Sequence, residues 1–246
     1  MEPRETVQTV SPIFATAGAA WYFLPETLAA GKDVGLDGLR FYFMGRGGTL
    51  GEVDWRTVAS AFGYFKPALI ERMWTTGQER CPVAKARDAH LGACAQFGRS
   101  RLAGVDLAGF CEAAETVVAA ACQDPGALPL FAAYAAQPLP EDEPARAIQL
   151  IATLRELRGS LHLACVAATG LPTAVAHAIR RPSDVETFGW AKGEIPEPTD
   201  EDRRKLGEAD RMTDQALTRH YEGLSPQASA DLVAGARAVE AALGKS

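Results

Sequence analysis

Apolar residues recur at Leu150, Leu154, Leu157, Leu161 and Cys165, a spacing of three and four that a helix gathers onto one face. The same stretch, Thr153-Leu-Arg-Glu-Leu-Arg-Gly-Ser-Leu-His162, places two arginines, a glutamate and a histidine on about two helical turns. At about 100° per residue, Arg155, Arg158 and His162 fall about 40–100° from Leu154, on the shoulder of the stripe. Polar groups in that position line a pocket or a seam between packed helices. A chain with such a segment needs neighbouring helices to cover both the stripe and its shoulder.

The rest of the sequence supplies them. Patterns with the helical period dominate and long alternating stretches are missing, so the fold is expected to be mainly α. Residues 7–30 read as a first helix interrupted near Pro25, and Leu36–Met44 is a compact apolar-aromatic segment ending in Gly45-Arg-Gly-Gly48. Asp54 is placed to cap a helix from Trp55 to Phe62, which Gly63 stops, and Lys66-Pro67 opens the next one, running to about Trp74. Residues 85–122 read as one or two helices with a break near Gly104. Gln123-Asp-Pro-Gly126 is a turn and Pro138–Pro144 a connector. A helix over 145–168 stops at Gly170 and restarts over Thr173–Ile179. After the acidic loop Gly193–Asp200 come a polar helix over 200–219, a wing-like turn at Tyr221-Glu-Gly-Leu-Ser-Pro226 and a last helix over 227–243. The helix–glycine–helix step thus occurs twice, at Gly63 and Gly170, the outline of a helix-turn-helix. It divides the chain into an N-terminal half at 1–125 and a C-terminal half at 126–246.

Bulk properties narrow the function classes. The chain has 246 residues and a formal net charge of −6, which weighs against a broad nucleic-acid surface, since that surface works by releasing phosphate counterions. No apolar run approaches the ~18–20 residues of a transmembrane helix, and Met1-Glu-Pro-Arg-Glu lacks a signal-peptide pattern. A cytoplasmic protein with no membrane partner is expected. The five cysteines are scattered without a CxxC pair, and Cys94, Cys111, Cys122 and Cys165 read as small buried hydrophobes. The four histidines do not cluster, so neither a metal nor another cofactor is expected.

Against these bounds, the pieces Tyr22-Phe-Leu-Pro-Glu26, Phe41-Tyr-Phe-Met-Gly-Arg46, Ala61-Phe-Gly-Tyr-Phe-Lys-Pro67, Pro129-Leu-Phe-Ala-Ala133 and Leu154–His162 follow one another in an informative order. The series resembles the SalK-like helix-turn-helix family of actinobacteria, distantly related to MarR-type regulators. Leu224-Ser-Pro226 is similar to the Leu-Thr-Pro that starts the last helix of MarR-like folds. The resemblance implies tandem winged-helix halves resembling a fused MarR dimer, with minor β wings. The arginine-rich segment of that family usually reads Arg-Glu-His-Arg-Gly-Asp-Gly-His. Here Leu157, Ser160 and Leu161 replace three of its residues, which puts any activity they share in doubt.

DNA binding is possible but disfavoured. In the first half the recognition helix would offer only Lys66 and Arg72, with Glu71 opposing. In the second, Arg180 and Arg181 follow an apolar body. A pocket is the better expectation. Trp21–Phe23, Phe41–Phe43, Phe62–Phe65 and Trp74 are mostly core, but their tyrosines and tryptophans suit a polar-tipped cavity. In that reading Trp21, Tyr22, Tyr42 and Tyr64 line the cavity, and Arg46, in its glycine-rich turn, holds an anion together with Arg155 and Arg158. His162 moves a proton and Glu156, the other catalytic candidate, orients an arginine or histidine. The competing reading of Glu156, Arg158 and His162 is a salt-bridge network joining the halves. Gly159, in mid-helix, costs about 1 kcal/mol relative to alanine, and close helix packing is its expected cause. The partner is then a small, partly apolar metabolite bound by a monomer or homodimer. Either a binding protein or an acid–base enzyme fits these residues.

Overall fold

The computed structural model describes residues 1–244, and among them the chain is all-helical. The helices begin where the local chemistry directs. Asp37, Asp54, Asp142, Thr199 and Ser225 each accept a backbone N–H of the first turn that follows. Prolines sit in the first turn of several others, where a missing N–H costs nothing. In chain order the elements are α1 (Pro3–Ala17), α2 (Pro25–Asp33), α3 (Gly38–Gly47), α4 (Trp55–Phe62), α5 (Pro67–Gln78), α6 (Val83–Arg101), α7 (Ala108–Cys122), α8 (Pro129–Ala135), α9 (Glu143–Ala168), α10 (Thr173–Arg180), α11 (Asp200–Tyr221) and α12 (Pro226–Leu243). Short 3₁₀ turns occupy Gly48–Leu50 and Pro182–Asp184.

The helix α9 is the axle. Helices α1, α6, α7, α8 and α11 all pack on it, α12 covers α7 and α1, and α3 bridges α6 and α5. Residues 147–154 of α9 are therefore buried all round, Ile148, Ile151 and Leu154 alike. One hydrophobic core runs from Val7 to Val239. A second, smaller one gathers Cys165 and Val166 of α9 with Leu171, Val175, Ala176, Leu206 and Ala209.

Several expectations need correction. No β wing exists among the described residues, which contain no strand. Tyr221-Glu-Gly-Leu-Ser-Pro226 is a plain helix-to-helix turn, because α11 continues through Tyr221, itself buried in the main core, and Ser225 at once caps α12. The first helix stops at Ala17, well before Pro25. Cys122 is exposed at the end of α7, whereas Cys94, Cys111 and Cys165 are buried. No single helix among the described residues is long and apolar enough to cross a membrane.

The step from α4 to α5 depends on Gly63. Its φ is +62°, and a Cβ there would lie 2.3 Å from Leu163 Cδ1. Only glycine permits both this conformation and this approach, so the turn can rest directly on α9.

Candidate functional site

A cleft of about 520 Å³ opens where α9 leaves the main core and enters the small one. Its walls come from α1, α3, α4, α9, α10 and α11 and from the turn after Gly63. Phe62, Phe65, Leu154, Leu163 and Phe188 make much of the wall apolar, and Arg46, Arg155, Arg158, Glu156, His162 and His177 supply charge and hydrogen bonding.

At one end lies a buried ion cluster. Arg46 sits in the last turn of α3, since that helix runs on through Gly47, and is only 8% exposed. This corrects its expected place in a glycine-rich turn. Its Nε donates to Glu156 Oε1 at 2.9 Å and its Nη2 to Oε2 at 2.6 Å, a two-pronged pairing. A third nitrogen, Nη1, donates to the Tyr42 hydroxyl at 2.8 Å. The guanidinium also lies over the Phe62 ring, 4.3 Å from its centroid. Arg155 Nη1 donates to Glu156 Oε1 at 2.9 Å, and Tyr22 closes the cluster at 3.5 Å from the same oxygen. Burial pushes the Glu156 carboxyl up, but Arg46 and Arg155 outweigh it and hold it below its usual range. Glu156 is therefore an ionised anchor for two arginines. Proton exchange is not a task that suits it.

The next turn of α9 differs. Arg158 lines the cleft with no hydrogen bond or ion pair among the described residues. The other cleft arginines are engaged, Arg180 with Asp210 at 2.6 Å and Arg181 with Asp184 at 3.5 Å. Gly159 beside it has nothing within 4 Å of where a Cβ would be. Close helix packing is thus not why a glycine stands here, and a side chain would project into open space.

One turn further, His162 Nδ1 lies 3.2 Å from Thr213 Oγ1 on α11. Burial, and then the Arg158 charge, push this imidazole down to about 4, so it is neutral near pH 7. Tyr64 sits between His162 and His177, with ring centroids 6.5 and 6.2 Å away. The Tyr64 hydroxyl is pushed up to about 12 by burial, against the pull of Arg158.

The expected site residues therefore divide. Arg46, Arg155, Glu156, Arg158, His162, Tyr42 and Tyr64 line one cleft. Tyr22 stands behind it and braces Arg155 and Glu156. Trp21 is fully buried against His90, at 4.4 Å between centroids, and does not reach the cleft. Sequence reasoning missed His177, Thr213 and Asp210. His177 sat in a segment judged apolar, and Thr213 and Asp210 on a helix whose polarity resembled a solvated face. Among the described residues no group of three or more His, Cys, Asp and Glu side chains is placed to hold a metal ion.

Residues 4–197 match a helix-turn-helix family. The chain belongs to it. The match covers α1–α10, and hence the Gly63 step, the Arg46–Glu156 pair and most of the cleft wall. No curated protein and no solved structure matches the chain.

Proposed function

We propose that this helix-turn-helix scaffold binds a small, partly apolar, anionic metabolite in the cleft, and that any chemistry it performs is cofactor-free proton transfer at His162. The observation that carries this reading is Arg158. It is a guanidinium on an aromatic cleft wall with no carboxylate partner among the described residues, while its neighbours are neutralised. A free guanidinium beside apolar surface suits a ligand carboxylate above most other groups, and a cleft of about 520 Å³ has the volume of a metabolite site. Arg46 and Glu156 brace that wall, and Arg155, a quarter exposed, can add a second contact. The SalK-like resemblance favours an occupant from specialised metabolism.

The test is a comparison of 3-phenylpropanoate with its neutral amide by calorimetry. The acid should bind more tightly to the wild type, and Arg158→Leu should erase the difference. Equal binding of acid and amide to the wild type, or no binding of either, would sink the proposal. For proton transfer, His162→Ala should abolish turnover of any substrate found, and undiminished turnover would remove that role.

Family membership favours a second reading, a ligand-responsive DNA-binding regulator. Against it, three of the four cations of the two expected recognition helices are engaged, Lys66 with Glu194 at 2.5 Å, Arg180 with Asp210 and Arg181 with Asp184, which leaves the exposed Arg72. Val175, Ala176 and His177 of α10 are buried.

A further inference from the structure

Beyond Arg158, the α10 end of the cleft holds polar groups that an anion site leaves unused. The Tyr64 hydroxyl and His177 Nε2 are buried without a hydrogen-bond partner, and His177 is only 5% exposed. Leaving such atoms unpaired is costly, so their presence together beside a cleft asks for a ligand group. Both residues and His162 line the same space. Phe188 stacks on His177 and on Phe65, at 3.9 Å in each case, and holds the rings in place.

The His162 tautomer follows from its neighbour. Thr213 Oγ1 donates its single proton to the Ala209 carbonyl at 2.7 Å. In that arrangement the oxygen accepts from His162 Nδ1 at 3.2 Å, and Asp210 Oδ1, 3.8 Å from the same nitrogen, also favours a hydrogen there. With the hydrogen on Nδ1, Nε2 keeps its lone pair. Thr213 is fully buried, so no water competes for the contact. Tyr64, protonated at any physiological pH, is a donor. A donor and an acceptor thus flank one space. A hydroxyl group satisfies both, whereas a carboxylate or a carbonyl has no proton to give to Nε2.

We infer that this end of the cleft is a hydroxyl-binding subsite, so that the ligand is a hydroxy-substituted, partly apolar carboxylic acid. Its carboxylate lies at Arg158 and its hydroxyl between Tyr64 and His162, where the oxygen accepts from Tyr64, keeps a lone pair for His177 Nε2–H and donates to His162 Nε2. Arg158 and His162 are about 6 Å apart along α9, and Arg155 and His162 about 10 Å, at ~1.5 Å per residue. One ring with a short acid arm fits that span. Thr213 is a positioning residue that acts through His162. The inference rests on the anion reading of Arg158.

The experiment compares 3-(4-hydroxyphenyl)propanoate with 3-phenylpropanoate by calorimetry, in the wild type and in Thr213→Val, Thr213→Ser and Tyr64→Phe. Long-range ¹H–¹⁵N NMR reads the His162 tautomer. The wild type should favour the hydroxylated acid at least about tenfold, the worth of one net hydrogen bond. That preference should fall towards unity in Thr213→Val and in Tyr64→Phe and return in Thr213→Ser, while 3-phenylpropanoate binds each variant alike. The His162 signal should be the Nδ1–H form in the wild type. If the wild type binds both acids equally, or His162 carries its hydrogen on Nε2, the inference is overturned and the anion reading stands. If neither acid binds, both fall.

Discussion

Replacing Glu156 with glutamine tests the buried ion cluster on which the cleft wall depends. Glu156 is 1% and Arg46 8% exposed, so neither can turn to solvent without moving a helix. Glutamine keeps the shape and one acceptor but removes the charge, which leaves Arg46 buried without its counter-ion. Breaking one side of such a pair costs about 3–5 kcal/mol. In a chain of this size that lowers the melting temperature by roughly 6–20 °C. Arg155, a quarter exposed, can turn to water and adds little. The double variant Arg46→Met/Glu156→Leu buries no charge, and should lie within about 2 kcal/mol of the wild type. Urea unfolding of the cycle formed by the wild type, Arg46→Met, Glu156→Leu and the double variant, with Glu156→Gln alongside, followed by the fluorescence of buried Trp21 and Trp74, measures each term. Unchanged denaturant slopes are the check that the unfolded states are comparable. The reasoning is refuted if Glu156→Gln loses less than about 1 kcal/mol, or if the two single losses simply add in the double variant.

Three further outcomes follow from the same geometry. Gly159→Ala should raise stability by up to about 1 kcal/mol, because alanine favours the helix and its methyl meets nothing. The same methyl should weaken carboxylate binding in the cleft, and a variant that is destabilised would show that the position is packed. His90 is fully buried with both ring nitrogens unpaired, and burial and then Arg46 push it down to about 3. Its folded value is depressed, so its contribution is intact above the unfolded value of about 6.5 and is lost as pH falls towards 3, about 3 kcal/mol by pH 4. His90→Leu should shrink the difference between urea unfolding at pH 7 and pH 4 by that amount, and an unchanged difference would show that His90 is not the group responsible. On a random duplex the wild type should show weak binding with a shallow salt dependence, since Arg72 alone of its recognition-helix cations is unpaired among the described residues. A steep slope in fluorescence anisotropy would revive the regulator reading.

The local signals in the sequence were legible because their causes are local. Asp54 caps α4, Gly63 ends it and Gly104 separates α6 from α7, each through its own backbone or side chain. The wing failed for a related reason. Tyr221-Glu-Gly-Leu-Ser-Pro226 has turn residues, but nothing in it decides between strands and helices on either side. Burial of Leu217 and Tyr221 in the main core decided for helices. Glu156 was harder still. Measured from Leu154 it lies about 200° around the helix, the side a stripe assigns to solvent. Because α9 is wrapped by other helices, that side is as dry as the first, and α3 brings Arg46 to it from 110 positions away in sequence. Periodicity within one helix holds no information about what arrives from another.

The same limit explains where the cleft lies. The stripe on α9 runs unbroken from Leu150 to Cys165, yet its first part belongs to one hydrophobic core and its last residue to another. Two cores that share a helix without fusing leave a gap along it, and the residues over that gap need neither be apolar nor be paired. Arg158, Gly159 and His162 fall there. Of these, Gly159 was the one visible sign, a residue unfavourable to a helix at a place where no turn, cap or close approach requires it. On the proposed reading the space beside it takes the ligand, and the unpaired guanidinium next to it sets the charge that the ligand carries.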